Sequence, residues 1–378
     1  MKFVFTCGGT AGHINPAIAL AETVKRELPD AEVLFIGAGR QLENRLIPMA
    51  GFDIENISSG GFERSFAPRA ILENLISAKN LVVGDVQVRR IFRRFRPDAA
   101  IGTGGYVCYP VLKRAAKMGI PTLIHEANAL PGLTTKMLCG IVDKVLVSFP
   151  DAAGYYKDPS KVVMTGMPVK NDFGVLSREE ARGMMGLDGD TPLVVSFWGS
   201  LGAERMNGVM ADFIAKNAKA RRFRHIHATG SDSEGTEGML RLLRERGITD
   251  DNVPCTDLRP YIDDMPVVMA AADLILCRAG ASTLGELQLM AKPAVLVPSP
   301  YVANDHQTKN AEALGRSGGA VVLRESECTG DSLYDAVCGL LEDPARLRAM
   351  SDALRTIAVP DTNRRILSMI LDLCGKQR

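Results

Sequence analysis

Short apolar runs that do not alternate with polar residues, separated by helical stretches, constrain this chain more than any other feature. Such runs lie at 2–7, 32–37, 98–103, 121–125, 144–148 and 161–165, and again at 193–198, 224–229, 273–277, 294–298 and 320–323. A strand that is apolar on both faces is covered on both faces, and helical segments of 10–15 residues between strands are crossovers of a parallel sheet. The series restarts near 193 with a second strand that runs into a glycine turn, so the expected fold class is α/β with two doubly wound parallel-sheet domains. A chain of 378 residues suits two such units. The stretch from Gly166 to Asp190, rich in glycine and holding Pro168, is the expected hinge. From Asp343 the pattern is helical, with a break at Pro360. The domains are therefore placed at 1–165 and 166–360, followed by a helix over about 361–378.

Hydrophobic residues make up 46% and charged residues 24%, the proportions of a folded globular chain. The formal net charge of +1 gives no field for nucleic acid, which is not expected as a partner. MKFVFTCGGT is too short in its apolar part for a signal peptide and reads as a first strand, and nowhere do 18 apolar residues run together. The eight cysteines form no C-x-x-C pair and are expected to be reduced, mostly buried thiols of a cytosolic protein. His225 and His227 share one face of a probable strand without a third ligand, so no metal is expected there.

The chemistry concentrates at the ends of strands. GGTAGH at 8–13 follows the first strand. Asn15 is expected to cap the next helix, with Pro16 at its first position. A glycine turn opening onto a helix N-terminus offers free N–H groups to a diphosphate. A dinucleotide fold would place an acid at the end of the second strand, but that strand ends FIGAGR. Further glycine turns are GTGGYVCYP at 102–110, with Gly104, Gly105 and Tyr106, and WGSLGAERMN at 198–207. The strand 273–277 runs into Arg278-Ala279-Gly280 and a helix opening near Ser282. Glu286 there can accept hydrogen bonds from the two hydroxyls of a ribose. The loop at 303–312 offers Asp305, His306 and Gln307, residues suited to sugar hydroxyls. Turns at the carboxyl ends of strands mark where open α/β sheets bind ligands.

Together, GGTAGH, GTGGY, HEANALPGLTTK at 125–136, TGMPVK at 165–170, GSLGA, RAGASTLGE at 278–286 and DHQTKNA at 305–311 resemble the MurG family of peptidoglycan N-acetylglucosaminyltransferases, in order and spacing over nearly the whole chain. The resemblance implies the GT-B architecture, with two Rossmann-like domains facing a cleft and the last helix packing back on the N-terminal domain. It implies transfer of N-acetylglucosamine from UDP-N-acetylglucosamine to the C4 hydroxyl of undecaprenyl-diphospho-muramoyl-pentapeptide, the step from lipid I to lipid II. UDP-N-acetylglucosamine is then the donor substrate, and no cofactor or metal is required.

By the same resemblance, the Ile262 backbone contacts uracil and Glu286 the ribose. Ser200 and the turn Ala281, Ser282, Thr283, Leu284 and Gly285 hold the diphosphate, and Gln307 holds sugar hydroxyls. Thr10, Ala11, Gly12, Asn128 and Lys170 line the donor and acceptor site, Gly9, Gly104, Gly105 and Tyr106 meet the acceptor diphosphate, and His13 is the general base. The chain departs from the family at Ala11 and Trp198, where glycine is usual, at Ala127 for glutamine and at Lys170 for arginine. Lysine keeps the charge but not the fork geometry.

The expected reaction is a single in-line displacement that inverts the anomeric centre. An imidazole, which titrates near neutral pH, suits the proton transfer. Helix N-termini can meet the leaving diphosphate, because Asp263-Asp264 begins a helix rather than ending a strand. Another GT-B transferase or a UDP-sugar epimerase on the same architecture is the alternative. A lipid-linked acceptor requires docking at an anionic membrane surface, on the cytoplasmic face and without a spanning segment. Residues 63–96 carry eight basic and three acidic side chains, a balance of +5, interleaved with Ile71, Leu72, Leu75, Ile76, Val82 and Val83. Ile76 and Val83 are expected to point outward, Leu72 and Leu75 inward.

Overall fold

The computed structural model describes residues 1–60, 68–187, 189–199, 202–230, 235–249 and 253–375, and of residues 68–78 the backbone alone. The chain divides into two compact units, Met1–Asn171 with Val359–Arg378, and Asp172–Ala358. The first contains a seven-stranded sheet of β1 (Lys2–Thr6), β2 (Glu32–Gly37), β3 (Asp53–Asn56), β4 (Ala99–Gly102), β5 (Thr122–Glu126), β6 (Lys144–Val147) and β7 (Val162–Met164), in the order β3-β2-β1-β4-β5-β6-β7. The second contains β8 (Leu193–Phe197), β9 (Arg224–Ala228), β10 (Thr256–Arg259), β11 (Leu274–Cys277), β12 (Ala294–Leu296) and β13 (Ala320–Val322), in the order β10-β9-β8-β11-β12-β13. Every neighbouring pair is parallel.

Both units follow one winding rule. Each starts on a central strand, winds outward by two strands, then returns to the other side of the first. The order reverses between β1 and β4 in one unit and between β8 and β11 in the other. These are the two points at which an open sheet leaves a crevice for a ligand.

The strands missing from the sequence reading, β3 and β10, are both sheet edges. DIEN and TDLR are short and polar and keep partly exposed side chains, so no apolar run betrays them. In the first unit, Phe3, Phe5, Ile101 and Leu123 pack on one sheet face against Ile14 and Ile18 of α1 (Ala11–Glu27) and Ile366 and Ile370 of the last helix (Thr362–Gly375). On the other face, Val4, Ile36, Ala100 and Ile124 meet Val88 and Phe92 of α3 (Pro68–Phe95) and Val111 and Leu112 of α4 (Cys108–Lys117), with α2 (Gln41–Met49) between α1 and α3 in the chain. The last helix is tied down at its start. Thr362 Oγ1 donates to the Thr165 carbonyl at 2.8 Å and Asn363 Nδ2 to that of Val169 at 2.8 Å. The stretch 166–190 also holds a helix of its own, Arg178–Met184, opened by a capping box of Ser177 and Glu180.

One expectation fails at α1. The helix starts at Ala11 with Thr10 as its N-cap, and Pro16 lies inside it rather than at its first position. The added turn is held from outside the helix, because Thr103 Oγ1 of the loop after β4 donates to the His13 carbonyl at 2.6 Å. Local capping rules cannot register a bond from a residue 90 positions away.

All eight cysteines are free thiols, six of them buried, while Cys255 is exposed. His225 and His227 face the same side of β9, and Ser196 Oγ lies between them, 2.8 Å from His225 Nε2 and 2.7 Å from His227 Nδ1. Burial drives both imidazoles down, His227 to about 4, and burial likewise takes His125 to about 4. These rings bind a proton in the unfolded chain near the usual 6.5 but not in the folded one until far lower pH. Stability is therefore full above about pH 6.5 and declines as pH falls toward 4. In a pH series followed by NMR, the ring signals of His125, His225 and His227 should stay fixed from pH 8 to about 5.5, and the thermal midpoint should fall below 6.5. Titration of these rings near pH 6.5 would contradict their burial.

Candidate functional site

In the first unit the turn after β1 and the turn after β4 are pressed together backbone to backbone. Gly8 N–H donates to the Gly104 carbonyl at 3.1 Å, and Thr103 N–H to that of Thr6 at 3.1 Å. A Cβ on Gly105 would lie 2.4 Å from the Gly8 oxygen, and one on Gly104 would lie 2.3 Å from His13 Nδ1. Gly9, Gly104 and Gly105 have φ of 92°, 120° and 92°, a left-handed region that suits glycine. The glycines of GTGGY thus serve two purposes. Gly105 lets the turns touch, and Gly104 forms the floor on which the His13 imidazole lies.

His13 stands in the first turn of α1, not on the loop before it. The amides of Ala11 and Gly12 belong to the same turn and have no carbonyl four residues back in the helix, so with the positive end of the helix dipole they are suited to an anion. Thr10 is exposed and Tyr106 is 47% exposed beside them. Gly9 takes a different part from the expected one. Its N–H donates to the Glu43 carboxylate at 3.0 Å and so is not offered to a diphosphate.

After β5, Glu126 orders the next loop. Its Oε1 accepts from the Asn128 N–H at 3.0 Å and its Oε2 from the Gly132 N–H at 2.9 Å. Asn128 is thereby fixed. Lys170 is exposed and is joined to neither cluster by a hydrogen bond or ion pair among the described residues.

In the second unit the strand ends of β8 and β11 form the corresponding pair. Gly199 and Gly202 have φ of 100° and 80°, and Gly202 N–H donates to the Gly199 carbonyl at 3.1 Å. Ser200 lies outside the described residues. The helix Ala281–Met290 opens at Gly280, directly after β11. The Ser282 hydroxyl in its first turn is buried without a partner among the described residues, and Leu284 is fully buried, so only its backbone can meet a ligand. Thr283 and Gly285 share this opening. Glu286 is the sixth residue of the helix, past the first turn, and its charge pushes the buried Cys277 thiol up, after burial itself. Ile262 is 2% exposed, which leaves its backbone as the contacting group.

Asn304 and Asp305 are consecutive left-handed residues ahead of the helix His306–Arg316, strain of the kind that gathers at binding sites. Gln307 Oε1 accepts from the Ser299 N–H at 2.9 Å, which orients the carboxamide. Trp198, directly after β8, is turned into the core. It is 3% exposed and stacks with the Arg278 guanidinium 5.8 Å from its ring centre, while Arg278 Nη1 donates to Glu325 Oε2 at 2.5 Å. Asp264 accepts from Arg259 Nη1 at 3.1 Å, and no group of three metal-ligating side chains exists among the described residues. Each site is braced within its own unit, by Thr103 in the first and in the second by Asn310, whose Nδ2 donates to the Ala279 carbonyl at 3.2 Å; both stand inside the motifs, but nothing in the motifs assigns them this bracing part.

The fold, together with the two family models that match it, defines a two-domain sugar transferase. Residues 3–147 match the glycosyltransferase family 28 N-terminal domain and residues 193–366 the family 28 C-terminal domain. The chain belongs to glycosyltransferase family 28, among its MurG members. A relative from Acetivibrio thermocellus, named UDP-N-acetylglucosamine–N-acetylmuramyl-(pentapeptide) pyrophosphoryl-undecaprenol N-acetylglucosamine transferase, is 43% identical over 99% of this chain and 98% of its own length. One of the same name from Ruminiclostridium cellulolyticum is 40% identical over 99% of this chain and all of its own. The crystal structure of Acinetobacter baumannii MurG is similar with a TM-score of 0.75 at 25% identity, covering 98% of this chain and 99% of that one. A UDP-GlcNAc 2-epimerase from Neisseria meningitidis reaches 0.66 at 12% identity over 98% of this chain and all of its own, a likeness of fold alone.

Gly105→Ala should destabilise the first unit, because its Cβ meets backbone and the residue must hold a positive φ, a strain of about 1–3 kcal/mol. A melting midpoint equal to that of the parent would show that the two turns are not held at contact distance.

Proposed function

We propose that this chain transfers N-acetylglucosamine from UDP-N-acetylglucosamine to the C4 hydroxyl of an undecaprenyl-diphospho-muramoyl-pentapeptide, with inversion. The observation that carries the proposal is the repeated pairing of a glycine turn with a helix N-terminus at both strand-order switches, with an imidazole at the first only. Full-length relatives at 40–43% identity bearing the transferase name support the same assignment over the epimerase. In this mechanism the second unit holds the donor. Glu286 accepts from the ribose hydroxyls, the Ile262 backbone meets uracil, and Gln307 meets the sugar. The Ser282 hydroxyl and the first-turn amides of Ala281–Leu284 take the diphosphate.

As the acceptor hydroxyl attacks the anomeric carbon, His13 receives its proton and UDP leaves from the opposite side. Negative charge grows on the diphosphate, and preorganised N–H groups meet it without reorganising. Asp264 is already engaged by Arg259, so the acidic pair is poorly placed to bring a metal to that charge. In the first unit the Ala11 and Gly12 amides, with Gly104, Gly105 and Tyr106, meet the acceptor diphosphate.

His13→Ala should lower kcat by about 10²–10⁴-fold with donor binding kept, whereas Glu286→Ala should raise the donor KM with a smaller change in kcat. Turnover should survive EDTA. Conversion of UDP-N-acetylglucosamine without an acceptor would replace transfer by epimerisation.

The acceptor's lipid tail places the reaction at the cytoplasmic face of the membrane, with the protein peripheral. No helix among the described residues is long and apolar enough to cross a bilayer. Along α3, Val82, Val83 and Val86 are 68%, 39% and 57% exposed, followed on the same side by exposed Arg89, Arg90 and Arg93, while Val88, Ile91 and Phe92 are buried. Val83 points outward as expected. Ile71, Leu72, Leu75 and Ile76 lie outside the described side chains. Lys79, Arg89, Arg90 and Arg93 have no carboxylate partner among the described residues, whereas Arg94 pairs with Glu55. Each basic residue near an anionic leaflet contributes about 1 kcal/mol. Sedimentation with anionic liposomes should therefore fall with salt and with Arg89, Arg90 and Arg93 changed to Gln. Salt-insensitive binding would remove this surface from the proposal.

A further inference from the structure

The side chain that decides the shape of the His13 turn is a buried carboxylate from another helix. Glu43, in the first turn of α2, is fully buried. Its Oε1 accepts from the Gly9 N–H at 3.0 Å and its Oε2 from the Ala38 N–H at 2.7 Å. It therefore bridges the turns that follow the neighbouring parallel strands β1 and β2. Both turns make room for it. A Cβ on Gly8 would lie 2.6 Å from Oε1, and one on Gly37 would lie 2.8 Å from Oε2. A dinucleotide fold places an acid at this point to face a ribose. Here the acid comes from α2 and faces inward, with both oxygens engaged by backbone amides.

We propose that Glu43 is a positioning residue for the transfer, acting through His13. Its bond to Gly9 holds that residue at φ 92° and so sets where α1 begins. The start of α1 places His13 over Gly104, and the Ala11 and Gly12 amides toward the ligand. The same bond turns the Gly9 amide away from the ligand, so anion binding at this turn falls to the helix amides alone. The residue is a good wedge because a carboxylate offers only acceptors, and two amides converge on it.

The proposal rests on the transferase function above and is tested apart from it. Glu43→Gln keeps the shape but brings an NH₂ group against one of the two amides. In the full chain, with UDP-N-acetylglucosamine and a lipid-diphosphate acceptor, this variant should lose about 10- to 100-fold in kcat, the scale for a misplacement near 1 Å. The donor KM should stay within about twofold, since the donor binds the other unit. In a His13→Ala background, Glu43→Gln should add less than about threefold, because residues acting as one unit are not additive. Gly8→Ala, which displaces the same carboxylate from the opposite side, should reproduce the kinetic change and decides the matter if Glu43→Gln does not fold. Undiminished kcat in the folded variants, or the same loss with and without His13, would overturn the proposal. An inactive parent protein would instead refute the transferase function.

Discussion

The first site depends on one close approach, the contact between the turns after β1 and β4. Without a Cβ at Gly105 the Gly8 carbonyl can lie beneath it, and without one at Gly104 the His13 ring has a flat floor. Hydrogen bonds across the gap, from Gly8 N–H, Thr103 N–H and Thr103 Oγ1, then fix register and distance. The turns belong to strands adjacent in space but separated by nearly a hundred residues of chain. The glycines therefore cannot be replaced by flexibility elsewhere. They let a parallel sheet bring an imidazole and two helix amides to one point.

The second unit uses the same strand order with different chemistry. At its switch point a helix N-terminus again follows a central strand, but the residues around it are Ser282, Glu286 and the left-handed Asn304-Asp305 corner that leads into His306. Behind this surface, Arg278 lies between Trp198 and Glu325. A buried ion pair needs its partner to be tolerated, and here the guanidinium also donates to the Val297 carbonyl at 3.1 Å and so ties the end of β11 to the residue after β12. The tryptophan that stands where the family usually has glycine is part of this support. It replaces backbone economy with packing.

Much of this could be read from residues alone, and the reason is periodicity. Strands buried on both faces, such as FVF of β1 and LILC of β11, announce themselves as apolar runs. Glycine turns directly after them announce a ligand site, because an L side chain seldom tolerates the φ they adopt. The pattern of motifs was enough to place the chain among the family 28 transferases and to single out His13, Glu286 and the helix opening at Ala281. What it missed lacks such signals. β3 and β10 are polar edges with one neighbour each, and Thr103, Asn310 and Glu43 act through side-chain bonds to backbone that only the folded chain brings to them.

The sequence by itself determined the alternation of strand and helix, the doubling of the domain and the family motifs at the strand ends, because these follow from local pattern and side-chain chemistry. Tertiary structure alone decided where α1 begins, that the Gly9 amide is taken by Glu43, and that Trp198 is a core residue. The physical reason is the same in each case. A hydrogen bond or a missing Cβ matters only against a partner, and parallel crossovers choose partners that lie many residues apart.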